Sequence, residues 1–302
     1  MSTPLSPPQN LAKNGRIDAL FTPGHAAVSF EFFPPKDEAA DAQLMTAISE
    51  LKPLRPHFIS VTRTGGGTSK TVDLTERIQN ELGFCAMSHL TCAGHTREEM
   101  GAFLDDLWDN GIRNVLALRG DPPAGQTMFQ ATEGGFEYAN DLTAFARQRH
   151  DFCIAVAGYP EGHPQSLNPT RDIENLKKKI DAGANFIITQ LFFSNDDFYR
   201  WRDACRGMGI EVPIVAGIMP ILGVGQIKRF VGMCGAKIPQ PLLLQLESLE
   251  ADPLAVHAAG VEYSIRQCED LVANGVDGLH FYTLNRSKAT VLIGQALGLK
   301  SV

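Results

Sequence analysis

The 302 residues contain no CxxC pair, no lysine or arginine run long enough to follow a phosphate backbone, and no apolar stretch near the roughly 20 residues of a membrane span. Each absence removes a class. The six cysteines, at 85, 92, 153, 205, 234 and 268, are scattered, so reduced thiols in a cytosolic core are expected. Cys85 and Cys153 fall inside strand-like runs, where cysteine behaves as a small hydrophobe. With 27 basic against 34 acidic residues and a net charge of −7, nucleic acid is not an expected partner, and neither is a membrane. The polar, proline-rich start lacks the basic and apolar regions of a signal peptide, so residues 1–24 read as a loose N-terminal segment of a cytoplasmic protein. No His-x-His lies on the first strand-like run and no such run carries a lysine, which argues against a zinc hydrolase and a Schiff-base aldolase. No metal site is expected.

What is present is a repeating alternation. Apolar, β-branched runs at 28–33, 57–62, 85–91, 114–119, 152–158, 185–191, 213–218 and 278–283 are followed by polar loops. Helical spacing follows at 39–51, 71–82, 97–110, 138–150, 173–182 and 196–208. The runs are nearly continuous, as parallel strands covered on both faces should be. Asn110-Gly111, Ala182-Gly183 and Asn274-Gly275 provide helix ends just before the next strand. At 44% hydrophobic and 20% charged, the chain can fill one core. The expected class is therefore α/β, a (βα)8 TIM barrel over residues 25–302, a fold that typically takes about 250 residues. An open doubly wound sheet is the competing architecture. Between the seventh and eighth runs, helical stretches at 240–249 and 254–273 are expected as extra helices on the barrel.

In such barrels chemistry sits at the C-terminal strand ends. Strand one carries Glu31 between Phe30 and Phe32, where desolvation favours a protonated carboxyl; a buried glutamate paired with a basic residue is the structural alternative. Strand two ends at Thr62 and opens into Arg63-Thr-Gly-Gly-Gly67, which matches no Walker pattern and reads equally as a plain loop. His89 on strand three is as readily a satisfied core histidine as an acid or base. Arg119-Gly-Asp121 closes strand four, and Gly120 lets the backbone approach a ligand. Tyr159-Pro-Glu-Gly-His-Pro164 is a turn stiffened by two prolines. Asp172, Asn175, Lys178 and Lys179 share one side at the start of a helix, either as a solvated face or as a site for an anionic cofactor. Gln190 ends strand six and Tyr282-Thr-Leu-Asn-Arg286 ends strand eight. This set suits a nucleotide-like cofactor with a polar heterocyclic substrate.

Six motifs then occur in order: Ser29-Phe-Glu-Phe-Phe-Pro-Pro35, Ser88-His-Leu-Thr91, Ala117-Leu-Arg-Gly-Asp121, Tyr159-Pro-Glu-Gly-His-Pro164, Asp181-Ala-Gly-Ala-Asn185 with Thr189-Gln190, and Phe281-Tyr-Thr-Leu-Asn-Arg286. Together they resemble the methylenetetrahydrofolate reductase family over about residues 28–298. The resemblance implies a barrel that binds FAD without a GxGxxG element, NADH or NADPH as co-substrate, and a tetrahydrofolate derivative as substrate. By position, Glu31 corresponds to the general acid and Asp121 to the acidic residue beside flavin and folate. Thr62, His89, Arg119, Gly120, Ala139, Ala157, Tyr159, His163, Asp172, Asn175, Lys178 and Lys179 fall where the family contacts FAD. Gln190, Gln226, Phe230, Tyr282 and Arg286 fall where it contacts folate or nicotinamide. One departure is Arg63, where related bacterial enzymes commonly carry an aromatic residue. The S-adenosylmethionine-responsive domain of eukaryotic members is not expected, and a homo-oligomer is left open. The implied reaction runs as two half-reactions at one flavin face, in either physiological direction. A flavin-free folate-dependent methyltransferase barrel and a non-catalytic folate or flavin carrier are the rival readings.

Overall fold

The computed structural model describes residue 5 and residues 15–63, 69–120 and 129–299. Eight parallel strands close into a barrel in sequence order: β1 (Ala27–Phe32), β2 (Phe58–Val61), β3 (Ala86–Thr91), β4 (Asn114–Leu118), β5 (Cys153–Gly158), β6 (Phe186–Thr189), β7 (Ile214–Ile218) and β8 (Gly278–Tyr282). Every expected strand is found, each trimmed by one or two residues at an end. The barrel closes through β8 on β1, with Glu31 level with Ser60 on one side and Tyr282 on the other.

Helices α1 (Glu38–Leu51), α2 (Ser69–Glu76), α3 (Arg97–Asp109), α4 (Ala139–Arg149), α5 (Pro169–Asp181) and α6 (Asn195–Gly207) follow the first six strands. Their starts are written in short polar side chains. Asp37, Thr96, Asn168 and Ser194 each accept a backbone N–H of the first turn, and Thr96 with Glu99 forms a reciprocal capping box. Three helices lie between β7 and β8: α7 (Val224–Cys234), α8 (Gln240–Ser248) and α9 (Pro253–Ala273). The helices expected at 240–249 and 254–273 are found as α8 and α9, and α7 is an additional one. The third, α9, packs against α6 and against α10 (Lys288–Ala296), so it serves as the barrel's own seventh crossover helix. Periodicity does not flag α7 or α10. The first is interrupted by Gly225 and Gly232, and the second, KATVLIGQA, has too little polar material for an amphipathic pattern.

Alternation along the strands sorts the core into two clusters. Val28, Phe30, Phe32, Ile59, Val115, Ile154 and Phe281 pack outward beneath the helices. Phe58, Met87, Leu116, Ala155, Phe186, Ile188 and Val215 form the second cluster, inside the barrel. That interior cluster also includes Ile17 and Leu20, which are 0% and 2% exposed on a 3-10 turn (Ile17–Leu20) that plugs the barrel floor. The backbone of the turn is tied down. Asn114 accepts from the Ile17 N–H at 2.8 Å and donates to the Gly15 carbonyl at 3.0 Å, while Asn185 donates to Asp18 at 2.8 Å. Here the structure differs from the loose segment expected over residues 1–24. Polar flanks hide a two-residue apolar plug too short to show periodicity.

Ile17→Ala should therefore destabilise the protein by about 2–5 kcal/mol, the range for truncating a fully buried aliphatic side chain. Urea denaturation followed by circular dichroism measures this as a lower midpoint at constant slope. A midpoint unchanged from the parent protein would show that the floor does not depend on the plug.

Candidate active site

Side chains at the upper end of the barrel interior change from apolar to polar. Ser29, Ser60, His89 and His280 are all buried above the apolar floor, and Glu31 stands one inward position further along β1. His280 Nδ1 lies 2.7 Å from Ser29 Oγ, and its Nε2 lies 3.4 Å from both Ser60 Oγ and Glu31 Oε2. His89 Nε2 approaches the same Glu31 oxygen at 3.5 Å but makes no hydrogen bond among the described residues. Burial is the main influence on His89 and pulls its pKa down to about 4, against the opposing pull of Glu31, so its imidazole is neutral at pH 7. The alternative of a glutamate paired with lysine or arginine is not what is found; its nearest polar neighbours are imidazoles.

The end of β8 holds this carboxylate in place. Thr283 Oγ1 donates to the Glu31 carbonyl at 2.6 Å, and the Asn285 amide both accepts from Phe33 N–H at 3.0 Å and donates to Phe33 C=O at 2.9 Å. Tyr282 donates its hydroxyl to the Thr189 carbonyl at 2.6 Å, and burial pushes its pKa up. His280, Thr283 and Asn285 were not singled out from the sequence, although His280 is a polar interruption of an apolar run and the other two lie inside the Tyr282 to Arg286 motif. Thr62 Oγ1, at the end of β2, is buried with no partner among the described residues.

A second group of expected residues lines a cleft of about 460 Å³ above β4 and β5, walled by α5: Arg119, Ala139, Ala157, Tyr159, His163, Asp172, Asn175, Lys178 and Lys179. Arg119 donates to Gln165 at 2.6 Å, and Tyr159 meets His163 edge to face at 4.7 Å between ring centroids. The consecutive lysines of α5 diverge. Lys177 pairs with Asp181, Lys178 lies 3.4 Å from Asn175 Oδ1, and Lys179 donates to the Ala157 carbonyl at 2.6 Å. Burial lowers the Lys179 pKa to about 8 even though Asp172 opposes the shift, and burial likewise raises the pKa of Asp172. A start-of-helix position holds only for Asp172; the lysines occupy the last turn of α5.

The remaining expected residues do not share one pocket. Gly120 has φ +85°, and a Cβ there would sit 2.9 Å from Ala93 Cβ, so its lack of a side chain is required by the protein itself. Gln190 lines a small crevice beside Tyr159. Gln226 and Phe230 lie on α7, and Arg286 is exposed after β8. Asp121 and the 64–67 glycine loop lie outside the described residues. Arg63 rests on the Phe103 ring at 5.1 Å and contacts His95, with Nη1 buried and unpartnered among the described residues. Burial lowers its pKa to about 10. No group of three or more potential metal ligands occurs among the described residues, and no described helix is long and apolar enough to cross a membrane.

The family profile described as methylenetetrahydrofolate reductase matches residues 16–298. The chain is 40% identical over 297 residues to methylenetetrahydrofolate reductase (NADH) 1 of Arabidopsis thaliana, covering 94% of this chain and 50% of that protein. It is 38% identical over 279 residues to 5,10-methylenetetrahydrofolate reductase of Salmonella typhimurium, covering 92% of each. The chain thus spans about half the length of the plant relatives. In fold it matches an uncharacterised Clostridium thermocellum protein that binds two copies of 5-methyl-5,6,7,8-tetrahydrofolic acid, with a TM-score of 0.60 at 14% identity over 90% of this chain and 93% of that one. With its profile match, these relatives and a closed eight-stranded barrel carrying the motif residues at the strand ends, the chain belongs to the methylenetetrahydrofolate reductase family.

Proposed function

We propose that this chain reduces 5,10-methylenetetrahydrofolate to 5-methyltetrahydrofolate with NADH or NADPH, using bound FAD and Glu31 as general acid. The observation that carries this reading is Glu31 itself, a carboxyl group fixed on the inner face of β1 between two imidazoles. The names of the plant relatives specify NADH, which favours it as the donor.

The residues present fit FAD. Arg119, Lys178 and Lys179 supply donors for a diphosphate, apolar Ala157 and Leu176 supply wall, and the buried unpartnered Thr62 Oγ1 and His89 Nε2 offer polar contacts to a heterocycle. When bound, FAD relays hydride from the nicotinamide to the folate. The chain's own residues do the rest. Glu31 holds a proton and delivers it to the folate nitrogen whose bond to the methylene carbon breaks. His280, between Ser29 and Glu31, orients the carboxyl group, donating from Nε2 while Nδ1 accepts from the serine hydroxyl. Asp121 is read as the acidic group that orients the pterin, and Gln190, Gln226, Phe230, Tyr282 and Arg286 as the folate and nicotinamide wall.

The reading is tested first by colour. Purified protein should show a flavin spectrum that bleaches with NADH and returns with methylenetetrahydrofolate, and acid precipitation should release the flavin. Protein that is colourless and takes up no FAD would overturn the assignment. Glu31→Gln then separates the half-reactions. Glutamine keeps the shape without the acid, so folate reduction should fall by about 10²–10⁴-fold, whereas flavin reduction by NADH should change little in rapid mixing. Equal losses in both would make Glu31 a structural carboxylate.

Lys179 sets a pH dependence. Its ammonium is present below about pH 8 and lost above it, so affinity for FAD should fall as pH rises through that value. In flavin-free protein the sign reverses. Burial favours the neutral amine, so this side chain's contribution to stability is full above pH 10.5 and lost as pH falls through about 8. At pH 7, Lys179→Met is therefore expected to raise the Tm of flavin-free protein while weakening FAD binding by at least tenfold, an order-of-magnitude figure for a lost charge-assisted contact. Calorimetric titration and melting curves read the two effects separately.

A further inference from the structure

The strand-five turn and the α7 helix are joined at a seam that the reaction itself does not require. Glu161, in the turn that carries Tyr159 and His163, places both carboxylate oxygens on the backbone N–H of Lys237, at 3.1 and 3.0 Å. Lys237 lies in the link between α7 and α8. One residue pair away, Gly235 ends α7 in the left-handed conformation at φ +75°, and a Cβ there would stand 2.8 Å from Pro164 Cγ, the last residue of the same turn. Two independent contacts, one polar and one steric, therefore clamp the C-terminal end of α7 to this turn. Between them lies the crevice bordered by Tyr159, Gln190, Cys234 and Ala236.

The other end of α7 is held differently. Gln226 accepts from Leu222 N–H at 2.8 Å and donates to the Pro220 carbonyl at 3.3 Å, so its amide ties the start of α7 to the β7 turn. Turning that amide toward a substrate strains or breaks those bonds and so loosens the N-terminal tie at the moment of binding. The C-terminal tie does not involve a substrate-facing side chain and can persist. Gln226 and Phe230 are four residues apart, hence on one face of α7, and Phe230 is only about 7–8 Å along the axis from Gly235 at 1.5 Å per residue. A shift at the seam is carried to both.

We propose that Glu161 is a positioning residue for the folate and nicotinamide side of the site, the anchor that keeps α7 in register against the flavin-side turn while Gln226 exchanges its backbone partners for substrate. This inference rests on the function proposed above. It assigns Glu161 no contact with substrate or flavin.

The test uses flavin-loaded full-length protein carrying Glu161→Ala, Glu161→Gln or Gly235→Ala. Glu161→Ala should raise KM for methylenetetrahydrofolate by about tenfold with kcat within about twofold of the parent and flavin content unchanged. Glu161→Gln keeps a carbonyl acceptor for Lys237 N–H and should return KM to within about threefold. Gly235→Ala breaks the seam from the α7 side, leaves the carboxylate untouched, and should reproduce the KM defect. Hydrogen exchange across residues 224–237, measured without substrate, should be faster in Glu161→Ala and Gly235→Ala than in the parent. Unchanged KM in both variants, or activity lost only in proportion to flavin lost, would overturn the proposal. Should the parent protein turn over no folate, the functional reading fails on its own, and unchanged exchange in the two seam variants would separately show that there is no latch.

Discussion

Glu31 lies on the inner face of β1 with imidazole nitrogens 3.4 and 3.5 Å away and, among the described residues, no lysine or arginine within ion-pair distance. A partly buried carboxyl group without a cation partner depends on neighbours that hold its backbone and its polar contacts in place. The fold answers this through backbone geometry. The turn after β8 runs through Leu284 at φ 53° and Asn285 at φ 56°, a conformation disfavoured for side-chain-bearing residues, and in doing so aims Thr283 and Asn285 at the backbone of Glu31 and Phe33. The turn after β8 thus fixes the β1 backbone that carries the carboxylate. The closed barrel makes the exchange possible, since β8 is hydrogen-bonded directly to β1.

The fold was legible in the sequence because a parallel barrel covers both faces of each strand. Residues such as Ile214 to Ile218 and Cys153 to Gly158 become unbroken apolar runs, and their recurrence with helices between them admits few architectures. The cleft was legible for a related reason: charged and aromatic side chains that interrupt or follow such runs have few structural excuses, and those on β4, β5 and α5 converge on one cavity. What could not be read shares a different property. The Ile17–Leu20 plug, the Asn285 bridge to Phe33 and the Glu161 grip on Lys237 are side-chain to backbone or side-chain to floor contacts across 76 to 252 residues of separation, and none leaves a local period. Helix α7 is hidden by its own Gly225 and Gly232, and the seam glycine, Gly235, caps its end.

Arg63 shows how a departure from the family pattern is absorbed. At the position where the resemblance leads one to expect a ring, this chain lays a guanidinium against Phe103 and in contact with His95, a cation over an aromatic face. Its neighbour Thr62 keeps a buried, unpartnered hydroxyl among the described residues. The guanidinium is thus engaged by Phe103 and His95, while the adjacent Thr62 hydroxyl is left available for a heterocycle above β2.

The division of the molecule into two packed bodies bears on how one face could serve two substrates in turn. The barrel strands and their helices hold the outer and inner apolar clusters, whereas α7 and α8 share a third with the start of α9 and the ends of β6 and β7, in which Phe230 and Tyr282 are only partly buried. The side chains that the proposed reaction needs fixed, Glu31 and His89, stand on barrel strands whose displacement would disturb the whole closed sheet. Side chains read as meeting two differently shaped partners, Gln226 and Phe230, stand on a helix whose packing can yield without opening the barrel. A wall that can yield but has no anchor would lose its register with each exchange, at a cost in affinity for both partners. In the proposed function the contacts of α7 with the strand-five turn therefore belong to the same physical problem as the rigidity of β1: the first would keep the α7 wall aligned with the turn that carries Tyr159 and His163, and the second would keep the Glu31 carboxyl in a fixed place.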